Sequence, residues 1–419
     1  MRYVPHSSSD RTALLSACGL PGMDDLFADT PAKARLKMPL AIPEGISEPE
    51  LLAELSGLAQ KNSASSWLGG GSDDHFIPAA LKHIISRSEF YTAYTPYQAE
   101  ASQGTLQSIY EYQSMICELT GMDAANASMY DGATALAEAA LLATRVTGRK
   151  EIVVSAAVHP NHRAVLKTYA QAAGLTVKEV AFDPKIGQTT DSLALGTASA
   201  CYVLQQPNFF GCLEPVNGLA GKASCAGALF IVSVDPISLG LLKAPGDYGA
   251  DIVVGEGQSL GNPRSFGGPG LGLFAVKDRL VRQIPGRLSG LTVDKNGQRG
   301  FCLTLQTREQ HIRRERAPSN ICSNEALAAL AAVVYLSLMG KQGLRQVAAL
   351  CLQKAHYLKK KLGKKVVFSS PSFKEFVVKS EKPVGLDLNR FYPELKGCRL
   401  ICVTELTDKT ALDRLAGEL

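Results

Sequence analysis

The sequence predicts an α/β protein built on a mostly parallel, doubly wound sheet. Three observations predict it. Between residues 61 and 290, short β-branched runs alternate with segments of helical period. Those helical segments close on glycine, as at Gly121 and Gly148. The apolar runs then end in polar residues, and ligands of such sheets gather at the carboxyl ends of the strands.

Residues 1–60 form a polar, proline-spaced arm with helical stretches at 7–20, 22–36 and 47–62. Ser47 and Glu50 stand at capping-box spacing, so a helix from Glu48 is expected. Helices this short bury no core alone, and the arm is expected to wrap a neighbouring surface. Residues 61–290 form the large domain. Its helices are GTLQSIYEYQSMICELTG (104–121) and GATALAEAALLATRVTG (132–148); its strands are EIVVSAAV, TVKEVAF, ACYVLQQP, ALFIVSVD and ADIVVGEG. Residues 291–419 make an extended linking segment, a long helix capped at Ser323 or Asn324, and a small α/β domain from KVVFSS, EFVVKS, RLICVTE and a last short helix.

At 419 residues the chain has ample core for one large and one small domain. A formal charge of +5 is small at this length and does not suggest nucleic acid. The run Lys359, Lys360, Lys361, Lys364 and Lys365 reads as a solvated helix end, or else as a surface for an acidic partner. Ten cysteines stand singly with no CxxC pair, which fits reduced thiols and a cytoplasmic location. The start of the chain has no apolar signal core, and the longest apolar stretch, 326–339, is too short for a bilayer and fits a core helix. No membrane association is expected.

Chemistry concentrates on the strand ends. Asp235 closes one apolar run, and Gln258 follows the next, on a glycine-rich turn without lysine. The segment Asn126–Ala135, with Tyr130, Gly132 and Thr134, precedes a helix, where free N–H groups and the dipole favour an anion. A plain capped glycine turn gives the same pattern. His159 directly follows a strand. Residues 90–104 are rich in tyrosine and glutamine; Tyr94, Tyr97, Gln98, Glu100 and Gln103 suit a site wall facing another subunit, or a loop packed on its own helix. Thr307–Arg316 mixes charges that suit either a carboxylate clamp or a surface network. Asp73, Asp74 and His75 lack a matching distant ligand set, so no metal site is expected.

The Asp235–Gln258 arrangement resembles pyridoxal phosphate (PLP) enzymes of fold type I, the aspartate aminotransferase type. There the aspartate lies under the pyridinium nitrogen, the glycine turn cradles the phosphate, a ring at the His159 position stacks on the pyridine, and a lysine forms the Schiff base. Here the lysine position holds an amide, which has no nucleophilic nitrogen. Longer segments resemble one family in particular: YTPYQAEASQGTLQSIYEYQ, ELTGMDAANASMYDGATALAEA, VHPNHRAVLKTY, QQPNFFGCLEP, GGPGLGLFA, PGRLSGLTVD, LTLQTREQHIRRERAPSNIC and, at the start, RYVPHSSSDR. They are similar to subunit 1 (α) of two-subunit glycine decarboxylase, the P-protein of the glycine cleavage system.

That resemblance implies an α2β2 heterotetramer with subunit 2 (β), whose lysine holds PLP covalently. It implies decarboxylation of glycine and transfer of the aminomethyl group to the lipoyl arm of H-protein. This chain would then carry no catalytic residue alone. Tyr94, Tyr97, Gln98, Glu100 and Gln103 would line the partner's cleft, and Tyr130, Gly132, Thr134, His159, Asp235 and Gln258 would form a vestigial pocket. Two rival readings are a stand-alone PLP lyase or transferase using Lys243 or Lys277, and a non-enzymatic regulatory subunit retaining the fold.

Overall fold

The computed structural model describes residues 6–62, 67–190 and 195–419; residues 2–5 of the first family-like segment lie outside them. The chain divides into two compact units, 1–65 and 66–419. The first unit carries helices Ser8–Ala17 and Glu48–Ala59. The capping box at the second forms as expected: Glu50 Oε2 accepts from the Ser47 N–H at 2.8 Å and its hydroxyl at 2.6 Å. The stretch at 22–36 gives only 3-10 turns, Met23–Phe27 and Ala32–Ala34, because Pro31 between them has no N–H to continue a helix. None of this unit's described residues is buried, and Leu36, Met38, Leu40 and Ile42 are 62–76% exposed.

In the second unit the expected strands form β2 (Glu151–Ser155), β3 (Thr176–Val180), β4 (Ser199–Gln206), β5 (Leu229–Val234) and β6 (Ile252–Glu256), following a short β1 (Ala124–Ala125). With β7 (Gly272–Val276) they make one sheet in the order β1-β7-β6-β5-β4-β2-β3. β2 to β6 run parallel; β7 is antiparallel to both β6 and β1. Both faces are covered over β2, β4, β5 and β6, which is why those strands read as apolar runs, whereas the edge strand β3 is mostly exposed. Phe230 and Val232 of β5 enter one core with Tyr112, Ile116 and Tyr335; Leu229 and Ile231 enter the other with Leu136 and Leu166. Val234 pairs with Gln206 and with Gly255. Pro207, Asp235 and Glu256 therefore leave the sheet side by side.

The segment 288–304 folds into a hairpin of β8 (Leu288–Val293) and β9 (Arg299–Thr304). Asp294 makes its turn, accepting from the N–H groups of Asn296 and Gln298, both at 2.8 Å. The long helix begins at Ala326 after Glu325, not behind a Ser323 or Asn324 cap, because the Asn324 side chain turns away to donate to the Ala127 carbonyl at 2.7 Å. It also continues past the apolar stretch to Leu362, changing direction at Gly340 (φ 58°, ψ −176°). By length and composition Ala326–Lys365 is apolar enough to cross a membrane, but half of its most apolar window is buried inside the protein. Its lysine-rich end is used locally: Lys359 donates to Ser372 Oγ at 2.7 Å and Lys361 pairs with Asp413 at 2.6 Å.

The C-terminal sheet comprises β10 (Glu375–Lys379), β11 (Leu386–Asp387) and β12 (Cys398–Cys402), antiparallel in the order β10-β12-β11. Arg163, on helix Pro160–Ala172, ties it to the large sheet. Its guanidinium donates to the Val158 carbonyl at 3.0 Å, to Glu179 at 2.6 Å and to Tyr392 Oη at 3.0 Å. A second tie is steric. Gly211 has φ +79°, and a Cβ there would collide with the Glu375 carbonyl at the start of β10. We expect Gly211→Ala to destabilise the chain by about 2–5 kcal/mol in chemical denaturation, combining backbone strain with overpacking.

Candidate functional site

A cavity of about 50 Å³ lies where β4, β5 and β6 end, lined in part by Asp73, His159, His162, Asp235, Gln258 and Lys374. This is the rim on which His159, Asp235 and Gln258 were expected together. Asp235 Oδ1 accepts from the Ile237 N–H at 3.1 Å, which turns Oδ2 toward the cavity. There it meets the ammonium of Lys374 at 2.9 Å.

Lys374 immediately precedes β10 and is buried. An ammonium has three N–H donors, and each has an acceptor: Asp73 Oδ2 at 2.6 Å, Asp235 Oδ2 at 2.9 Å and His75 Nε2 at 3.2 Å. His75 Nδ1 in turn donates to Glu405 at 2.7 Å. Burial pulls the Lys374 pKa down, but Asp235 and Asp73 hold it well above the ordinary lysine value. Burial likewise raises Asp73, yet the Lys374 ammonium brings it below the usual carboxylate range. The two groups of possible metal ligands among the described residues, Asp73/Glu375/Cys402 and His75/Cys351/Glu405, both border this ammonium. Arg264 pairs with Asp74 on the same loop.

The opposite end is built around Glu256. Its carboxylate accepts from three backbone N–H groups: Gly132 at 2.9 Å, Leu271 at 2.8 Å and Gln258 at 3.0 Å. Gly132 opens helix Gly132–Thr147, so the carboxylate sits at the helix end that would hold an anionic group. A Cβ on Gly132 would lie 2.9 Å from the Glu256 N and 3.0 Å from His162 Cε1, so only glycine admits this approach. Thr134 serves the cap instead: Asp131 Oδ1 accepts from its N–H at 2.7 Å, and its hydroxyl accepts from the Asp131 N–H at 3.2 Å. Tyr130 is partly exposed, and neither it nor Thr134 lines the cavity.

Between these ends, Gln258 is fully engaged. Its Oε1 accepts from the Asp73 N–H at 3.0 Å, while Nε2 donates to the carbonyls of Asp73 at 3.1 Å and Asn262 at 2.5 Å. The amide thus pins the loop that carries Asp73. His159 Nδ1 accepts from the Asn161 N–H at 3.1 Å, leaving Nε2–H to donate to the Gly70 carbonyl at 2.6 Å. Burial lowers its pKa. One face of its ring stacks on His162, with centroids 4.5 Å apart, and Phe209 approaches edge-on at 4.8 Å. The Nδ1 of half-buried His162 is itself buried without a partner, and desolvation holds the ring's pKa down to about 3.

Pockets for ligands of cofactor size span about 300–1,000 Å³. A cavity of about 50 Å³ has room for water and none for PLP. The residues present do not fit the cofactor: its cation partner, its anion seat and its lysine position are all engaged by this chain's own groups. Lys374, Glu256 and His162 were absent from the sequence reading. His162 had a local signal, since it follows His159 at i+3 on one helix face. Of the rival lysines, Lys243 is exposed and Lys277 donates to the Gly121 carbonyl at 3.1 Å; neither lines the cavity.

The tyrosine loop lies elsewhere in the same unit. Tyr94 is 75% exposed, and Gln98 and Glu100 are exposed. Tyr97 Oη accepts from Arg287 Nη2 at 2.7 Å, and Thr95 Oγ1 from Nη1 at 3.1 Å. Arg287 is buried and pairs with Glu309 at 3.2 Å. Gln103 clamps β9, exchanging bonds of 2.8 Å with the N–H and carbonyl of Phe301. The run 307–316 divides: Glu309 joins this clamp and Arg308 binds the Ile284 and Gly286 carbonyls, while Arg313, Arg314 and Arg316 are exposed.

The sheet order and the strand-end pocket define a PLP-dependent transferase fold of type I. Solved structures share that fold at low identity: a sphingosine-1-phosphate lyase from Burkholderia pseudomallei (TM-score 0.64, 16% identity, 93% of each chain) and a C-DES variant with glycine linked to its PLP cofactor (TM-score 0.59, 17% identity, 87% and 98%). The model of the glycine cleavage system P-protein family matches residues 1–418, and the chain belongs to that family. It is 52% identical to a probable glycine dehydrogenase (decarboxylating) subunit 1 of Desulforamulus reducens, covering 100% of this chain and 99% of the relative. The Geobacillus kaustophilus subunit 1 is 51% identical over 100% and 98%. A crystal structure of inhibitor-bound glycine decarboxylase (P-protein) matches with TM-score 0.89 at 42% identity over 100% and 99%.

Because the pocket is filled, Gln258→Lys alone is expected to stay colourless when PLP is added, and a yellow, borohydride-reducible variant would contradict the filling. A second outcome concerns Glu375, whose Oε1 accepts from the Gly70 N–H at 2.6 Å. Burial, with Asp73 nearby, pushes its pKa up to about 8 from 4.5. The folded chain keeps this proton while the unfolded chain loses it, so its contribution is complete below about pH 4.5 and is lost as pH rises through 8. Glu375→Gln should therefore flatten the fall in melting temperature between those limits.

Proposed function

We propose that this chain is the subunit of glycine decarboxylase that does not anchor the cofactor. It works with a subunit 2 that supplies the Schiff-base lysine and holds PLP. The reaction consumes glycine and an oxidised lipoyl arm of H-protein, releasing carbon dioxide and leaving the aminomethyl group on one sulfur and a thiol on the other. PLP supplies the electron sink for decarboxylation on the partner. The observation that carries this division is Gln258, an amide at the lysine position with both of its polar atoms already bonded.

The chain's own contribution is to shape and close the partner's cleft from outside. Tyr94 and Tyr97 wall it, and Gln98 and Glu100 supply hydrogen bonds near glycine. The exposure of this loop and its rigid footing on Arg287 support that role. Gln103 positions the loop through β9. The unburied arm of residues 1–65, with its exposed Leu36–Ile42 stretch, supports an α2β2 assembly in which partner surface covers it. We place the complex in the cytoplasm.

Co-expression with subunit 2 should give glycine–bicarbonate exchange, and the chain alone should be colourless and inactive. An isolated chain that is yellow and releases carbon dioxide would overturn the assignment. Glu100→Ala should lower exchange about tenfold or more with the complex intact by gel filtration. Tyr97→Phe should lower exchange and also cost about 1–3 kcal/mol of stability, because it strands one N–H of buried Arg287. Unchanged kinetics in both would remove the loop from the site.

A further inference from the structure

We propose that the pocket is self-liganded, with the Lys374 ammonium as an internal organic cation, so that removing this side chain creates a binding site for small primary alkylammonium ions. The proposal deepens the reading above and rests on it for where the cofactor chemistry lies. Its own ground is the geometry of the pocket.

A pyridoxal phosphate site of this fold has an aspartate for a cationic ring nitrogen, a helix N-terminus for a phosphate and a ring to stack on the pyridine. Here each partner faces a group of the same chain with the matching character. Asp235 faces the Lys374 cation at 2.9 Å. The N–H of Gly132 faces the Glu256 carboxylate at 2.9 Å. His159 stacks on the neutral ring of His162. An ammonium stands at the aspartate end and a carboxyl group, its pKa raised by burial, at the helix end. All these groups except Asp235, which is partly exposed, are buried or nearly so.

Physical cost explains why all of them belong together. A buried carboxylate without a cation is strongly disfavoured, and Asp73 and Asp235 both face the space that Lys374 fills. With the ammonium present, its three donors are satisfied and no external cation is needed. The chain therefore folds without a supply of PLP. Lys374 is thus a positioning residue: it brings the start of β10, the loop carrying Asp73 and the end of β5 to one point. Truncation to alanine would leave a hole the length of three methylenes and an ammonium group, ended by two carboxylates. That hole matches a primary alkylammonium ion in length, charge and donor number.

The test uses the full chain purified with its partner subunit and reads thermal melting of this subunit, which is independent of turnover and can fail separately from the exchange assay. Lys374→Ala should melt several degrees below the parent. Ethylammonium chloride should restore at least half of that loss, while sodium chloride at equal ionic strength should not, and the parent should respond to neither. Equal stability of parent and variant, or equal action of ethylammonium on both, would overturn the proposal. A second pair works even where the alanine variant does not accumulate. Lys374→Met keeps the volume and drops the charge, so adding Asp235→Asn to it should raise its melting temperature; a further fall on adding Asp235→Asn would count against the ion pair.

Discussion

The ammonium of Lys374 sits between Asp73 and Asp235, and three parts of the second unit meet at that contact. Asp235 belongs to the end of β5, Asp73 to the loop pinned by Gln258, and Lys374 to the entry of β10. Each side chain would be costly to bury alone, and together they satisfy one another. Gly211 lets the backbone before β10 approach closely enough for the contact, and Arg163 holds the C-terminal sheet from its other side. The C-terminal sheet is thereby fixed to the rim of the large sheet by charge at one point and by hydrogen bonding at another.

Such a pocket has consequences for how work is shared in the complex. The fold ordinarily spends its strand ends on a ligand, because the parallel sheet brings several loops to one rim and a helix N-terminus beside them. In this chain the same features persist, but their polar groups are turned inward on one another. Glu256 accepts three N–H groups that would otherwise attract an anion. A single replacement at Gln258 restores an amine and leaves the other occupants in place. The mismatch between the pocket and a cofactor is therefore distributed over several groups and is not confined to the position of Gln258.

Much of this fold is legible because its signals are local. Each of the five parallel strands is a short apolar run between turn residues, and each lies where its run predicts. His159, Asp235 and Gln258 could be placed on one rim since each directly follows such a run. Lys374 could not: it lies 139 residues beyond Asp235 by number and belongs to a different sheet, so only tertiary structure joins them. Glu256 was in plain view inside IVVGEGQ but reads as the polar end of a strand; its role depends on how near helix Gly132–Thr147 starts. The hairpin β8–β9 was missed as well, because its strands are half polar and its turn, Asp294–Gln298, is held by one aspartate.

With the pocket's polar groups paired to one another, the contribution proposed for this chain lies on its surface. Surface loops make poor site walls when they are mobile, since a displacement of about 1 Å costs much of the benefit of positioning. The loop at 94–100 escapes that objection. Its Thr95 and Tyr97 are held by two nitrogens of one guanidinium, and that guanidinium is buried and fixed by Glu309. Tyr94 nevertheless stays exposed. An exposed aromatic on a rigid footing covers apolar area at little entropic cost and offers a hydroxyl at its tip, as an intersubunit wall requires. The same clamp gives the run 307–316 its purpose, because Glu309 positions Arg287 and Arg308 holds the turn that presents it. The self-paired pocket and the anchored loop are then complementary features: one satisfies its own charges, and the other presents an exposed aromatic on a fixed footing.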